Sequence, residues 1–142
     1  MPDRAAEESA IPEGNPVTAR LAVGVADPEL LEFIRGWDQM EALVIDLYRA
    51  GKVQRDQQEA HRRLRRQLLL AYHRWKAHLA PYLQELQADG GLLGDPFEAI
   101  LATRRPGKLA SSRAGLESLP HARQVLNHFL LGLQAQQAAH DD

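Results

Sequence analysis

Hydrophobic residues recur three or four positions apart over residues 27–50, which is the spacing of one face of an α-helix. Asp27 followed by Pro28 is a typical helix start. Gly51 is a typical helix end, because glycine readily takes the left-handed conformation there. The segment predicts a first long helix whose wide apolar stripe packs on more than one neighbour. This stripe consists of Leu30, Phe33, Ile34, Trp37, Met40, Val44, Leu47 and Tyr48.

A second helical pattern runs from about Gln54 to Ala88. Its apolar positions follow a period near that of a straight helix. Pro81 lies inside the pattern, and it is expected to kink or split the helix because proline removes the hydrogen bond to the carbonyl of Ala77. The apolar stripe consists of Leu64, Leu68, Tyr72, Trp75, Leu79, Leu83 and Leu86.

The rest of the chain predicts one short and one long helix. Asp95 and Pro96 repeat the start signal of the first helix, residues 104–118 have the composition of a polar loop, and a last helix starts near Ser118. The inner side of these two helices is expected to hold Phe97, Ile100, Leu101, Ala122, Val125, Leu126, Phe129, Leu130 and Leu133.

These elements predict an all-α fold. Short connections between the first three helices favour antiparallel neighbours, so we expect an up-and-down bundle of three long helices, the second kinked at Pro81, plus one short helix. Residues 1–20 hold three prolines and scattered charge, which predicts a disordered tail. Residues 21–26 predict an extended segment against a single domain that spans 21–138, and the C-terminus is expected to fray over 139–142.

The composition excludes several classes of function. The chain has no cysteine, which removes disulfides, thiolate metal ligands and cysteine nucleophiles. Its first ten residues carry charge and no apolar run, unlike a signal peptide, and no later run has the length of a membrane span. We therefore expect a cytoplasmic protein without a membrane partner.

Charge is distributed unevenly over the first two predicted helices. Residues 27–50 carry six acids and two bases, a net of −4, whereas residues 54–88 carry seven bases and three acids, a net of +4. Adjacent helices of opposite charge attract each other, which explains the basic residues without any ligand. Each exposed pair would contribute only about 0–1 kcal/mol, so the asymmetry bears on which helices pair more than on stability.

The same basic residues support an alternative function, contact with the phosphates of nucleic acid. The net charge of −2 counts against it. So does the absence of aromatic residues expected to be exposed at stacking spacing. The candidate contacts are Arg62, Arg66 and Lys76 on the second helix and Arg104, Arg105 and Lys108 in the predicted loop.

Other chemistry finds little support in the residue pattern. No two of the six histidines lie three or four positions apart, so no single helix supplies a metal site, and we expect surface histidines, no metal and no cofactor. Gly107 and Lys108 do not complete a phosphate loop, because Leu109 stands where the motif needs serine or threonine. We predict no catalytic residues and no enzyme activity. A small-molecule pocket near Trp37 and Trp75 is supported only by aromatic content.

Two leucines of the second helix lie off its apolar stripe. Leu69 and Leu70 fall on opposite flanks of the far side, with His73 between them. They indicate either that the helix is sandwiched within the bundle or that it forms an interface, most simply in a homodimer. The leading functional prediction is a non-enzymatic helical bundle that acts through protein contacts, as a homo-oligomer or an adaptor, with Leu69, Leu70 and His73 as the candidate interface.

Overall fold

The computed structural model describes residues 16–90 and 94–141, without the side chains of residues 140 and 141. Within these ranges the chain forms six helices and no strand, which confirms the all-α prediction. Three of the helices are long. The helices are α1 (Pro16–Leu21), α2 (Pro28–Ala50), α3 (Arg55–Ala88), α4 (Pro96–Leu101), α5 (Pro106–Ser111) and α6 (Arg113–Asp141).

The two Asp-Pro pairs start helices as expected. The carboxylate of Asp27 accepts a hydrogen bond from the backbone N–H of Glu29 at 2.9 Å, and that of Asp95 does the same for Phe97 at 2.9 Å. Gly51 ends α2 with a φ of 76°, in the left-handed region that favours glycine. Local capping chemistry therefore sets these helix ends.

Helix α3 continues through Pro81, so the expected split does not occur. Proline removes a single backbone hydrogen bond, and its own ring is exposed to solvent. Leu79 and Leu83, two residues to either side, are buried in the core. Packing of this stripe holds the helix together across the missing hydrogen bond.

The predicted polar loop at 104–118 is wrong, because it contains all of α5 and the first turns of α6. Pro106 occupies the first position of α5, where proline is tolerated, and both Leu109 and Ala110 are buried. Gly115 lets α6 pass close to α5: a Cβ on this residue would lie 2.8 Å from the carbonyl oxygen of Leu109. A few apolar residues in a polar stretch are enough to anchor this segment.

The predicted tail at 1–20 is wrong for its last five residues, which belong to α1. Thr18 is buried, its hydroxyl donates to Oδ1 of Asn127 at 2.6 Å, and it accepts from Arg123 at 3.1 Å. These contacts dock α1 on α6. A turn rather than an extended segment follows α1, and residues 1–15 lie outside the described part of the chain.

At the other end, α6 remains helical to Asp141, where fraying was expected from residue 139. The last residue, 142, lies outside the described residues.

Within the described ranges no helix is both long enough and apolar enough to cross a membrane.

Helices α2 and α3 pack antiparallel around an aromatic core. Early in α2, Glu29 forms an ion pair with Arg74, and further along Gly36 lies against Leu68. The space that Gly36 leaves is filled by Leu68, since a Cβ there would lie 3.0 Å from the leucine methyl group. The core rings lie 4.9–6.5 Å apart and belong to Phe33, Trp37, Tyr72 and Phe97.

Candidate functional site

A cleft of about 580 Å³ opens where the start of α3 meets the connection between α4 and α5. Five of its lining residues are basic, and none of the described residues that line it is acidic. We call it the basic cleft. It is lined by Val53, Gln58, Arg62, Arg65, Arg104, Arg105, Pro106, Gly107 and Lys108.

Helix α3 contributes two arginines to the basic cleft. Arg62 and Arg65 are three positions apart, so that they are neighbours on the helix surface. Arg62 is exposed, whereas Arg65 is partly buried and its Nε donates to the carbonyl oxygen of Leu101 at 2.6 Å. This bond ties the last residue of α4 to α3. Sequence reasoning missed Arg65, although its distance of three residues from Arg62 was a usable signal.

The other three bases come from the segment that was predicted to be a loop. Pro106 is buried, and the residue before a proline is pushed toward an extended conformation, which Arg105 adopts with φ of −104° and ψ of 118°. Lys108 then follows in the first turns of α5. Helix α5 therefore presents Lys108 to the cleft, and the two residues directly before this helix present Arg104 and Arg105.

The structure brings together four of the six basic candidates, Arg62, Arg104, Arg105 and Lys108. Arg66 lies next to them in a separate groove of about 500 Å³, which we call the Arg66 groove. This groove shares Arg62 with the basic cleft and is lined by Glu59, Arg62, Arg63, Arg66, Gln67 and Leu70.

Lys76 is not part of this cluster. Its ammonium group lies 2.6 Å from a carboxylate oxygen of Glu98 in α4, and this partner raises the pKa of the lysine. The charge of Lys76 is therefore engaged in a surface ion pair between α3 and α4.

The pairing of charges between α2 and α3 is limited. Glu29 and Arg74 form the one ion pair between these helices among the described residues. The α2 acids Asp38 and Glu41 pair instead with Arg123 of α6, at 2.7 and 2.8 Å. The basic residues of the first half of α3 are thus not neutralised by the acidic helix beside them.

The bases of the cleft lack acidic partners in the described part of the chain. No carboxylate there lies within ion-pair distance of Arg62, Arg104, Arg105 or Lys108. Like charges held near each other repel, by roughly 1 kcal/mol for a pair at 4 Å in water. An anion in the cleft would relieve this repulsion, whereas a cation would increase it.

His61 lies one position before Arg62 and is buried, which contradicts the expectation of a surface histidine. Its Nε2 has no hydrogen-bond partner among the described residues. Burial, reinforced by the nearby charge of Arg65, lowers the pKa of this imidazole, which is therefore neutral at pH 7. No group of three or more potential metal ligands occurs among the described side chains, those of residues 16–90 and 94–139.

Tyr48 is also placed differently from the expectation. Its side chain is 62% exposed, although Val44 and Leu47 of the same apolar stripe are buried. Tyr48 stands in the last turn of α2, where the neighbouring helices cover Leu47 but leave the next residue open to solvent. An exposed aromatic ring therefore lies in the turn before Val53, a lining residue of the basic cleft.

The candidate interface residues are exposed. The interpretation that the second long helix is sandwiched within the bundle at Leu69 and Leu70 is therefore wrong. Leu70 is 74% exposed and Leu69 39%, and His73 is exposed as well. Leu70 borders a groove of about 270 Å³ between α2 and α3, which we call the Leu70 groove. Its lining includes Phe33, Leu68, Ala71 and Trp75, but neither Leu69 nor His73.

The small-molecule pocket considered near two tryptophans is not formed as expected. Trp37 is fully buried among aromatic rings, and only Trp75 borders a groove.

Comparison with protein families, with characterised proteins and with solved structures finds no match to this chain. Its function is therefore inferred from the clefts themselves.

Proposed function

We propose that this protein binds the phosphate backbone of nucleic acid, with the basic cleft as the contact surface. One observation carries the proposal: five basic side chains from α3 and the α4–α5 segment converge on one cleft, and none of the described residues that line it is acidic. Clustered cations of this kind supply the sequence-independent part of nucleic-acid affinity.

The extension of positive charge beyond the cleft favours a polymer over a single small anion. The Arg66 groove continues from Arg62 along α3 and adds two bases, Arg63 and Arg66, and one acid, Glu59. Arg62 and Arg66 are one helical turn apart, about 5–6 Å between their Cβ atoms, so that they can contact different parts of an extended ligand. Arginine is also suited to phosphate, because its planar guanidinium donates two parallel hydrogen bonds.

The acidic net charge of the chain does not oppose this proposal, because no described acid lines the basic cleft and the Arg66 groove has three arginines to one acid, Glu59. Several acids are engaged in ion pairs elsewhere: Asp38 and Glu41 face Arg123, and Glu98 faces Lys76. A ligand in the basic cleft meets the local charge first, since charges beyond about 10 Å are largely screened at moderate salt.

The test is titration of a fluorescently labelled oligonucleotide with the protein, followed by anisotropy at several salt concentrations. Arg104→Ala/Arg105→Ala should weaken binding and lower the slope of log affinity against log salt by about 1 for each phosphate that is no longer neutralised. The matched control is Arg20→Ala/Arg35→Ala, which removes the same charge from two exposed positions outside the cleft. Absence of wild-type binding at low ionic strength, or equal effects of the two double variants, overturns the proposal.

A second candidate function is protein binding through the candidate interface of Leu69, Leu70 and His73. The chain would then act as a homo-oligomer or as an adaptor that binds another protein. It is supported by Leu70, a large apolar side chain that is 74% exposed at the rim of an apolar groove. Light scattering at high protein concentration tests it: Leu69→Asp/Leu70→Asp should reduce an oligomer to monomers, whereas Leu131→Asp, at another exposed leucine, should not. A wild-type chain that is monomeric throughout removes the homo-oligomer. The absence of enzyme activity and the cytoplasmic location stay predictions.

We also propose that the three long helices run up and down. The antiparallel contacts of α2 with α3 support this for the first pair, and Phe129 of α6 packs against both Trp75 and Tyr82 of α3. Site-directed spin labels at the ends of α6 and α3 would give the distances that test the direction of α6.

A further inference from the structure

Tyr48 is exposed beside a second cleft that adjoins the basic cleft. This second cleft has a volume of about 280 Å³, and we call it the Tyr48 cleft. Val53 and Gly107 line both clefts, so that together they form the boundary between them. The Tyr48 cleft is lined by Leu47, Tyr48, Gly51, Lys52, Val53, Gly107, Ala110 and Ser111.

The two clefts differ in chemistry. The basic cleft presents four arginines and a lysine, whereas the Tyr48 cleft presents an aromatic ring, small or apolar side chains and a single cation, Lys52. Its described lining residues include no acid. A ligand that crosses the boundary at Val53 and Gly107 would place an anionic part on one side and a flat, apolar part on the other.

The boundary between the clefts is a close contact of Val53 with Gly107, which has no side chain. A Cβ on Gly107 would lie 3.2 Å from Cγ2 of Val53, closer than ordinary van der Waals contact. A larger residue at 107 would therefore occupy the space where the two clefts meet. The contact of Val53 with Gly107 is therefore the thin wall between the two clefts.

Nucleic acid has this division into two chemistries, but only when its bases are unpaired. Each nucleotide joins a phosphate to a planar base, and every base has a π-face that can stack on an aromatic ring. In a duplex the faces of the bases are occupied by stacking on one another, and only phosphates, sugars and base edges face the protein. A tyrosine on the surface of a helix can thus stack on a base of a single strand and not on one inside a duplex.

We propose that the ligand is single-stranded nucleic acid, whose phosphates lie in the basic cleft while an unpaired base stacks on Tyr48. This inference rests on the proposed function, since it assigns the class of nucleic acid that the basic cleft binds. It also gives a use to the exposed ring of Tyr48, which the protein core does not cover.

The experiment compares Tyr48→Ala, Tyr48→Phe and wild-type protein by fluorescence anisotropy. The probes are a labelled single strand of mixed sequence and the duplex of the same sequence, at equal salt. Wild-type protein should bind the single strand more tightly than the duplex. Tyr48→Ala should weaken binding of the single strand roughly 5- to 150-fold, the range for loss of one stacked base. It should leave duplex binding and the salt slope unchanged.

Two controls separate stacking from other effects. Tyr48→Phe keeps the ring and should retain most of the affinity for the single strand, whereas Leu131→Ala, at an exposed leucine on α6, should change neither probe. Circular dichroism and thermal melting of each variant check that it is folded, which is expected because substitutions at exposed positions rarely affect stability.

The outcomes distinguish this inference from the proposed function. Equal losses for single strand and duplex on Tyr48→Ala, or no loss for either, overturn the inference, while the response to Arg104→Ala/Arg105→Ala still decides the proposed function. A mononucleotide that competes as strongly as the single strand also overturns it, because the site would then hold a small ligand. No wild-type binding to either probe overturns both.

Discussion

Arg123 and the arginines of the basic cleft are the same residue type in opposite surroundings. Arg123 is 6% exposed, and its guanidinium lies 2.7 Å from Asp38 and 2.8 Å from Glu41. Arg62, Arg104 and Arg105 are exposed and have no carboxylate partner among the described residues. The first arginine is paired with acids within the protein and holds helices together, whereas the others keep their charge available to a ligand.

The difference arises from where acids are placed along the fold. Helix α2 presents Asp38 and Glu41 to α6, so the one buried arginine of the described chain sits between two acids and also donates to the hydroxyl of Thr18. The described acids are absent from the lining of the basic cleft. A buried charge requires a partner of opposite sign, whereas an exposed charge does not. The exposed basic cleft can therefore carry an excess of positive charge, and the buried surroundings of Arg123 cannot.

The largest effect is expected from Arg123→Ala. It would leave Asp38 and Glu41 partly buried without their cation, and breaking such a pair costs about 3–5 kcal/mol. Urea denaturation followed by circular dichroism should show this decrease in the free energy of unfolding. Arg113→Ala is the control: it removes an exposed ion pair with Glu117 and should cost no more than about 1 kcal/mol. A decrease below about 1 kcal/mol for Arg123→Ala would contradict its structural role.

His61 provides an intermediate effect, because it is a buried group near the cleft that lacks a partner for its Nε2 among the described residues. Its pKa is lowered from 6.5 by burial and by Arg65. Below pH 6.5 the unfolded chain binds a proton at His61 that the folded chain does not, so the folded state loses stability as the pH falls. For one proton, the free energy of unfolding changes by at most about 1.4 kcal/mol per pH unit.

Urea denaturation of wild-type protein and His61→Leu at pH values on either side of 6.5 measures this effect. The stability of the wild type should fall more steeply on acidification than that of His61→Leu, which has no group to titrate at this position. Leu131→Ala, at an exposed leucine of α6, removes no titratable group and is the control that should keep the wild-type slope. Parallel curves for wild type and His61→Leu would show that His61 is protonated equally in both states.

The parts of the fold that could be predicted from the sequence are those set by neighbouring residues. Asp27-Pro28, Asp95-Pro96 and Gly51 act through hydrogen bonds and backbone angles within one turn, and the predicted ends of these helices are confirmed. Helix α1 was missed because its stability depends on Thr18, which bonds to residues more than a hundred positions away. Such contacts leave no local pattern.

The same distinction applies to the candidate site. Arg62, Arg104 and Arg105 could be selected from charge alone, but their meeting in one cleft depends on how α4 docks on α3 and how α5 docks on α2 and α6. Arg65 was missed since it stands beside the apolar stripe, and its role follows from a bond to Leu101, 36 positions away. The exposure of Tyr48 depends on which neighbour covers the last turn of α2, which helical spacing does not report.

The smallest effect on stability is expected from the loss of a single arginine in the basic cleft. Arg104→Gln removes one charge from a group of five that lacks acidic partners among the described lining residues, so nothing stabilising is removed and some repulsion is relieved. The free energy of unfolding should therefore change by less than about 0.5 kcal/mol, and any gain should shrink as salt screens the repulsion. Nucleic-acid affinity should nevertheless fall, which separates the two roles of arginine in one chain. Destabilisation by more than about 1 kcal/mol would mean that Arg104 supports the fold as Arg123 does, and that its charge is not available to a ligand.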